Sequence, residues 1–489
     1  MEESPRARRK RSHPFSSSPP SPPLPKRPNF PSFQDIPNLP SNIKSLCHLI
    51  ATTSAAAIEH ALQCAAIDIT PHDVEEVLRL SYGFPGQAVK FFRWSGRQLS
   101  DNHTPYSWNL VVDLLGKNRF FNAMWDAIKS MQKEGLLSLT TFASVFGSYV
   151  IANRTREAIV AFEVMENYGC VRDVIALNSL LSAICRDGRT VDACDYLQVA
   201  KKFVRPDADS YAILMEGWEG EGDKGVVGAK ETFAEMVIEI GWDPANAPAY
   251  DSFLCALVRG PDGLLEAIKF VDSMRDRRCY PGVRFLKAAL DECLKFHDVK
   301  TAKFFWEVLV EVGRVLQPST EMYNLMIALL CYCGDTDAAR RMLDEMVYRG
   351  AFPDVVTYNL LFKFLIKGRK LREASAMFAE MVKNEFVPDQ DNCDAAVKVC
   401  VDGGEPLLAM KVWKCLVENY QDDLERTANF LVVGLRDLNR IPEAVKYAED
   451  MIGRGIRLSS STLSKLRQNL VKERKEFVYE ELLRKCKSQ

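Results

Sequence analysis

The sequence predicts an all-α fold, an α-solenoid of tandem helix-turn-helix repeats, and three regular spacings support this prediction. The first is a position that recurs about every 35 residues. From Asn324 it falls toward the C-terminus, at intervals of 35, on Asn359, Asp394, Asn429 and Ser464. Toward the N-terminus it falls, at intervals of 37, 36, 39, 34, 35 and 34, on Lys287, Asp251, Ala212, Asn178, Ala143 and Asn109. A period of this length is typical of solenoids, in which each supersecondary unit packs against the next.

The other two spacings concern small and flexible apolar residues. An alanine follows the recurring position by 15 residues at Ala158, Ala193, Ala302, Ala339, Ala374, Ala409 and Ala444. A methionine follows it by 22 residues at Met131, Met165, Met346, Met381 and Met451. We expect the alanines to let two helices approach and the methionines to fill irregular gaps, so both columns are predicted to lie in the core.

Residues 355–389 show how one unit is expected to fold. Tyr358–Leu365 carries apolar residues on most of a helical surface, and Lys367–Arg369 interrupts the run. The second half places on one helical stripe Leu371, Ala374, Met377, Phe378 and Met381. Pro388 ends the unit, because the residue before a proline is disfavoured in the helical region. The unit is therefore predicted to be a hairpin of two short helices.

The chain is predicted to contain four regions. They are a disordered leader over 1–40, an N-terminal helical cap over 41–103, about ten repeats over 104–459 and C-terminal capping helices over 460–489. The leader is rich in Ser, Pro and Arg without helical periodicity. Within the cap, residues 42–66 are expected to form one helix, and residues 78–94 a degenerate hairpin. Solenoids need such caps because their end units otherwise expose a core face.

Composition and charge limit the classes of function. The chain has 489 residues, 47% of them hydrophobic, and a formal net charge of −2. Residues 1–29 contain seven Lys or Arg and two Glu, a net +5, so the remainder carries −2 − 5 = −7 by the same count. Because non-specific nucleic-acid binding depends on neutralising phosphates, any RNA contact must come from a local stripe of the surface. No run reaches 18 apolar residues, so no membrane span is expected.

No constellation of residues predicts catalysis. Five of the six histidines lie at or before residue 103, the sixth is His297, and no His-Glu-x-x-His motif or phosphate-binding loop occurs. Gly222–Gly225 is interpreted as a widened turn within one hairpin. The chain is therefore predicted not to be an enzyme and to need neither a cofactor nor a metal.

Two consecutive units carry a family resemblance. The residues are Tyr323-Asn324, Ala339, Glu345-Met346 and Pro353-Asp354, followed by Tyr358-Asn359, Ala374, Glu380-Met381 and Pro388-Asp389. They resemble the consensus of the pentatricopeptide repeat (PPR) family of plant organelle RNA-binding proteins, in its P-type subfamily. The resemblance covers residues 104–489, strongly in about half of the units and loosely over 259–319. It implies a right-handed α-solenoid superhelix that binds single-stranded organelle RNA.

The resemblance also implies that two residues of each repeat select one base. They are the residue after the first-helix tyrosine, called here the reading position, and the residue that closes the repeat, the closing position. The pairs for which the family rule gives uracil are Asn178 with Asp207, Asn324 with Asp354, and Asn359 with Asp389. The pairs for which it gives cytosine are Asn109 with Ser138, and Asn429 with Ser459. The alternative for any single asparagine is a helix cap or turn residue.

Other features weaken this interpretation. The family holds bases between aliphatic residues three places before the reading position, and Ile175 and Val356 fit that role. The residues at the same place in other units include Glu321, Asp391 and Asp209, and carboxylates there repel phosphate. The three units after residue 208 also have irregular lengths of 39, 36 and 37. RNA is therefore expected to be read at both ends of the array and bridged unread across the centre.

The sequence leaves two functions and three cellular locations open. One function is sequence-selective binding of single-stranded RNA in organelle RNA processing, stability or translation. The alternative is a protein-binding helical scaffold of a mitochondrial ribonucleoprotein or ribosome, with ribonucleoprotein or ribosomal proteins as partners. The Arg- and Ser-rich leader favours a transit peptide and the mitochondrion, with the plastid as an alternative. The basic cluster Arg8–Arg11 would instead indicate the nucleus.

Overall fold

The structure, a computed structural model, describes residues 30–312 and 317–487. Within these ranges every regular element is an α-helix or a short 3-10 helix, which confirms the all-α prediction. The basic cluster Arg8–Arg11 and the rest of residues 1–29 lie outside the described residues. The contacts divide the chain into two compact units, Met1–Ala183 and Ile184–Gln489.

The described part of the first unit consists of helices paired in sequence order. They are α1 (Ser41–Thr52), α2 (Ile58–Ala65), α3 (Pro71–Arg79), α4 (Pro85–Gln98), α5 (Pro105–Lys117), α6 (Phe121–Lys133), α7 (Leu139–Ile151) and α8 (Thr155–Val164). Short 3-10 helices lie at Phe33–Asp35 and Met165–Tyr168, and α9 (Val174–Arg186) continues into the second unit. Helix α5 contacts its hairpin partner α6 and also α7, the first helix of the next hairpin.

The described part of the second unit continues the same order. Its helices are α10 (Thr190–Ala200), α11 (Ala208–Trp218), α12 (Gly222–Glu239), α13 (Ala247–Val258), α14 (Gly263–Arg275), α15 (Val283–Phe296), α16 (Val299–Val312), α17 (Thr320–Tyr332), α18 (Thr336–Tyr348), α19 (Val355–Lys367), α20 (Leu371–Lys383), α21 (Gln390–Asp402), α22 (Pro406–Asn419), α23 (Glu425–Asp437), α24 (Ile441–Gly453), α25 (Ser460–Lys472) and α26 (Glu476–Lys487). A 3-10 helix lies at Pro244–Asn246. From α11 to α25, each first helix packs on its hairpin partner and on the next first helix.

The two apolar columns lie in the core, as the sequence predicted. Every alanine of the column from Ala158 to Ala444 has no exposed surface, and neither has any methionine of the column from Met131 to Met451. The buried set of the last five repeats extends without interruption from Ile327 to Leu482. Since neither helix of a hairpin can cover its own stripe, this continuous core holds each repeat in place.

The N-terminal region differs from the sequence prediction in two ways. The single helix expected over 42–66 is two helices, because Thr53 is extended (φ −95°, ψ 140°) and ends α1. Thr and Ser side chains at this break favour turns over helix. The leader expected to be disordered up to residue 40 contains a capped 3-10 turn: Ser32 accepts a hydrogen bond from the Gln34 backbone N–H, and Phe33 is buried.

The glycines at Gly222–Gly225 do not widen a turn, as the sequence had suggested; they begin the 18-residue helix α12. The extra residues of this repeat therefore lengthen its second helix. Gly225 and Gly228 allow close packing because a Cβ atom on either would collide with Trp218. The indole N–H of Trp218 donates to the hydroxyl of Thr232 at 3.1 Å, which secures the helix pair.

The close approach of neighbouring first helices allows a test of how tightly the core is packed. Gly434 on α23 faces Val401 on α21, and a methyl group at Gly434 would collide with the Val401 side chain. We expect Gly434→Ala to lower the free energy of unfolding by about 1–3 kcal/mol through overpacking. Urea unfolding followed by circular dichroism measures the change.

The matched control is Gly453→Ala. Gly453 ends α24, and a Cβ there meets no atom within 4 Å. The same substitution should leave stability unchanged or raise it by up to about 1 kcal/mol, because alanine is the better helix former. Equal effects of the two substitutions would show that first-helix packing at Gly434 does not limit stability.

Candidate functional site

The recurring position has one structural address: it is the fifth residue of the first helix in every described hairpin from α5 to α25. The closing residues are the N-caps of the following first helices. The caps are Ser138, Asp207, Asn246, Gly282, Ser319, Asp354, Asp389, Leu424 and Ser459. A reading pair therefore joins two repeats, with one residue on a helix and the other at the start of the next first helix.

Asn324 and Asp354 form a direct hydrogen bond. The Asn324 Nδ2 donates to Asp354 Oδ1 at 3.1 Å, and the Thr357 hydroxyl lies 2.6 Å from Asn324 Oδ1. Partial burial alone would raise the pKa of the Asp354 carboxyl. Hydrogen bonds from the Thr357 backbone N–H and from Asn324 outweigh burial, so the pKa lies below its ordinary value. Asp354 is thus a carboxylate at neutral pH, and it accepts the asparagine amide.

Asn359 and Asp389 repeat this arrangement one unit later. The Asn359 Nδ2 donates to Asp389 Oδ1 at 3.2 Å. The Asp389 backbone N–H donates to Asn359 Oδ1 at 2.9 Å, and Asn392 Nδ2 donates to the same oxygen at 3.0 Å. Asn359 is only 6% exposed. Its amide oxygen is therefore held by the next helix, and its amide nitrogen faces the cap.

The serine-capped pairs differ from each other. Asn429 Oδ1 accepts from the Ser459 backbone N–H at 2.9 Å and from the Thr462 hydroxyl at 2.6 Å. Asn109 Oδ1 accepts from the Thr141 hydroxyl at 2.6 Å, while Ser138 caps α7. In both pairs the amide oxygen points toward the following first helix.

The third predicted uracil pair has Asn178 in the first compact unit and Asp207 in the second. Asn178 is the fifth residue of α9 and is half-buried. Asp207 caps α11 and accepts from the Ser210 backbone N–H at 2.8 Å.

An open groove of about 510 Å³ lies over the Asn359 pair. Its lining includes Val356, Asn359, Lys363, Asp389 and Asp391. Val356 is 50% exposed, and Ile175, the other predicted stacking residue, is 62% exposed. Both are second residues of first helices, so their side chains are accessible to a flat apolar ligand. The ammonium of Lys363 partly offsets the two carboxylates of the groove.

The irregular centre of the array differs from the asparagine pairs. Its reading positions Asp251 and Lys287 are engaged by backbone or charged groups of the protein. Asp251 is 8% exposed and accepts from the Gly282 backbone N–H at 2.6 Å. A Cβ at Gly282 would collide with the Asp251 carboxylate, which explains a glycine at this closing position. Lys287 forms an ion pair with Glu321 of the next repeat. Asp251 and Lys287 thus bond to groups other than a closing side chain, unlike Asn324 and Asn359.

A second ion-paired group lies beside the centre. Glu219, whose side chain is 11% exposed, pairs with Arg284 of α15 and lies 3.4 Å from the Arg259 guanidinium. It thereby links the C-terminal end of α11 to the two following first helices. Sequence reasoning missed Glu219 and Arg259, because a link between residues 40 or more positions apart leaves no periodic signal.

Among residues 30–312 and 317–487, no helix combines the length and apolar character of a membrane span. In the same ranges, no group of three or more His, Cys, Asp or Glu side chains is arranged to hold a metal ion.

The burial of Asn359 predicts that replacing it lowers the stability of the fold. Asn359→Ala leaves the Asp389 backbone N–H and the Asn392 amide without their acceptor, so we expect the free energy of unfolding to fall by about 1–3 kcal/mol. Urea unfolding is the measurement. The control is Ser464→Ala at the exposed fifth position of α25, which should stay within about 0.5 kcal/mol of wild type. An unchanged Asn359→Ala would mean that this bond between repeats adds nothing to stability.

Asp251 predicts a pH dependence of stability. Burial raises the pKa of its carboxyl from 3.8 to about 6. The protonated carboxyl therefore stabilises the fold below pH 3.8, and this stabilisation is lost as the pH rises through about 6. Asparagine cannot ionise. The thermal midpoint of Asp251→Asn relative to wild type should accordingly rise between about pH 4 and pH 7.

Asp298→Asn is the control of opposite sign for this measurement. Burial alone would raise the pKa of the Asp298 carboxyl, but its bonds from Thr301 outweigh burial and leave the pKa below the ordinary value. This carboxylate stabilises the fold above its ordinary pKa, and the stabilisation is lost as the pH falls. The variant's relative midpoint should thus fall as the pH rises from the acid range. Parallel curves for the two variants would contradict the assignment of Asp251.

Comparison with known sequences places the repeats in a family. Residues 318–367 match the model of the PPR repeat family, and residues 106–136 and 356–386 match the PPR repeat itself. A mitochondrial pentatricopeptide repeat-containing protein of Arabidopsis thaliana is 30% identical over 175 residues, which is 36% of this chain and 34% of the relative. The chain thus spans about a third of that relative's length.

Two further comparisons extend over more of the chain. Another pentatricopeptide repeat-containing protein of Arabidopsis thaliana is 24% identical over 79% of this chain and 78% of its own length. Among solved structures, the chain is similar to maize PPR10 in complex with an 18-nt psaJ RNA element, at 18% identity and a TM-score of 0.44. That alignment covers 91% of this chain and 69% of PPR10. The sequence matches show that residues 106–136 and 318–386 of this chain contain pentatricopeptide repeats.

Proposed function

We propose that this protein binds single-stranded RNA in a sequence-selective way, as a P-type pentatricopeptide protein without catalysis of its own. The observation that carries the proposal is the bonded pair of Asn324 with Asp354, repeated in the next unit by Asn359 with Asp389. Two identical pairs in consecutive repeats, the second beneath an open groove, offer the same polar edge to two neighbouring bases. The matches of residues 106–136 and 318–386 to pentatricopeptide repeats support the same function.

The hydrogen bonds indicate how a base would be read. The oxygen of Asn359 already accepts bonds from the next helix, so the amide N–H is the group left for a base. An N–H donor suits a pyrimidine carbonyl or ring nitrogen, and a cap carboxylate accepts the N3–H of uracil. A serine cap can donate as well as accept, which suits cytosine. Val356 would stack against a base face in the groove.

Organelle RNA processing, stability or translation is the proposed setting, and the mitochondrion the proposed location. Several relatives with similar repeats are named as mitochondrial proteins of Arabidopsis thaliana. The Arg- and Ser-rich leader predicted from the sequence agrees with import into an organelle.

A designed RNA tests this function directly. With RNA parallel to the repeats, the five pairs read 5′-CNUNNNUUNC-3′, in which the adjacent uracils face Asn324 and Asn359. Replacing both uracils by adenine should weaken binding by about 1 kcal/mol or more, because each mismatch removes an amide contact. Replacing the three central N nucleotides should change the binding free energy by less than about 0.5 kcal/mol, since Ala212 is apolar and Asp251 and Lys287 are engaged by the protein itself. Fluorescence anisotropy with the unaltered protein measures both.

Changing the RNA and not the protein avoids the stability effect of asparagine substitutions. A shuffled RNA of the same composition controls for general electrostatic attraction. Equal binding of the designed, substituted and shuffled RNAs would exclude sequence-selective reading. Equal penalties along the whole footprint would exclude an unread centre.

The second candidate function is a scaffold held by protein contacts. Large apolar side chains are exposed at the end of α18: Tyr348 is 90% and Phe352 84% exposed, and Val347 is 58% exposed. Exposed apolar groups of this kind mark protein interaction sites. Sedimentation with ribosomal subunits that survives RNase treatment, together with equal binding of the three RNAs, would favour the scaffold over RNA reading.

A further inference from the structure

A third residue accompanies the reading pair. In five described repeats, the side chain at the reading position accepts a hydrogen bond from the third residue of the next first helix. The donors and their acceptors are Thr141 to Asn109 at 2.6 Å, Thr357 to Asn324 at 2.6 Å, Asn392 to Asn359 at 3.0 Å, Thr427 to Asp394 at 2.7 Å, and Thr462 to Asn429 at 2.6 Å. All five donors are at most 7% exposed, so they offer little surface to a base, although Asn392 also lines the groove over the Asn359 pair.

The chain also shows what happens where the reading position is apolar. Ala143 is followed in the next first helix by Ala176, and Ala212 by Ala249, each as the third residue of that helix. Both third residues are fully buried. In these seven repeats, a polar third residue accompanies a polar acceptor, and an alanine accompanies an alanine. Core packing alone would not require this match.

Two charged reading positions, Asp251 and Lys287, depart from this match. Opposite Asp251 the third residue is Phe285, which offers only its backbone N–H at 3.4 Å, and there burial raises the carboxyl pKa. Opposite Lys287 the third residue is Met322, and the lysine pairs with Glu321 instead. Where the side-chain donor is missing, the reading side chain takes another partner.

We propose that the third residue of each first helix is a positioning residue, which orients the reading asparagine of the preceding repeat. In the pair of Asn324 with Asp354, the hydroxyl of Thr357 holds the amide oxygen, and the amide nitrogen turns to the cap. The hydroxyl also accepts the Asp354 backbone N–H at 3.1 Å. Its single proton has Asn324 Oδ1 at 2.6 Å as the nearer acceptor and Asp354 Oδ1 at 2.9 Å as the second. Each nucleotide would then be read by two residues that face it and one buried residue that sets their geometry.

The effect on bases rests on the proposed RNA-reading function, whereas the orientation of the amide does not. Without the hydrogen bond from Thr357, the Asn324 amide can present either its oxygen or its nitrogen to the base. The difference in affinity between RNAs with uracil and RNAs with cytosine at that nucleotide then becomes smaller. Thr357→Val removes the hydroxyl at nearly constant volume, and Thr357→Ser keeps it. The matched control is Thr427→Val, the same substitution at a third position 2% exposed, facing Asp394 rather than Asn324.

The first measurement is binding of the designed RNA with uracil or cytosine opposite Asn324. Thr357→Val should reduce the uracil preference at that one nucleotide by about 3-fold to 10-fold, the loss of one hydrogen bond. The preference opposite Asn359 should stay unchanged, Thr357→Ser should restore the lost preference, and Thr427→Val should leave both nucleotides as in wild type. An equal loss of affinity for all RNAs, or the same loss in Thr427→Val, would assign Thr357 a purely structural role and overturn the proposal.

The second measurement needs no RNA. In protein labelled with 15N-asparagine, the side-chain amide signal of Asn324 is assigned by its absence in Asn324→Asp. Its hydrogens should exchange with solvent at least about 3-fold faster in Thr357→Val than in wild type, and at the wild-type rate in Thr427→Val. Unchanged exchange in Thr357→Val would overturn the positioning role. If amide exchange is faster in Thr357→Val but the wild-type protein shows no base preference, the positioning role is retained and RNA reading is rejected.

Discussion

Packing of each first helix on the next is the constraint from which the rest of this structure follows. One amphipathic hairpin leaves half of its apolar stripe in water, and only a neighbouring hairpin covers it. The fully buried alanine and methionine columns mark the two places where that cover is made. Close approach leaves no room for variation at some of these contacts, as at Gly434 against Val401.

The same contact builds the candidate site. Because the closing residue is the N-cap of the next first helix, a reading pair exists only once two repeats have packed. The cap, the reading asparagine and the third residue of the helix form one small polar network between apolar layers. Polar groups buried in this way must be bonded to each other. Site residues of this protein therefore contribute to its stability as well as to its surface.

Irregular repeats show how the network is lost without loss of the fold. Repeats of 39, 36 and 37 residues keep the helical hairpin and a buried alanine in its second helix. They carry other side chains at the reading position. Asp251 accepts backbone N–H groups, and Lys287 and Glu219 form ion pairs with adjacent repeats. The apolar core tolerates these changes because other residues of the same helices form it, such as Tyr250 and Leu254 beside Asp251. The hairpin is thus kept where the polar network is not.

The sequence alone determined the helical class, the core columns and the spacing of the reading position, because each depends on local periodicity. It did not predict the break at Thr53, which depends on one turn residue. It also did not predict that α12 starts at Gly222, which depends on a tryptophan contact. Only the tertiary structure showed that Asn359 is buried and bonded to Asn392, and that Glu219 joins two arginines. Those bonds connect residues more than 30 positions apart, and their geometry is decided by how neighbouring repeats pack, which no spacing in the sequence records.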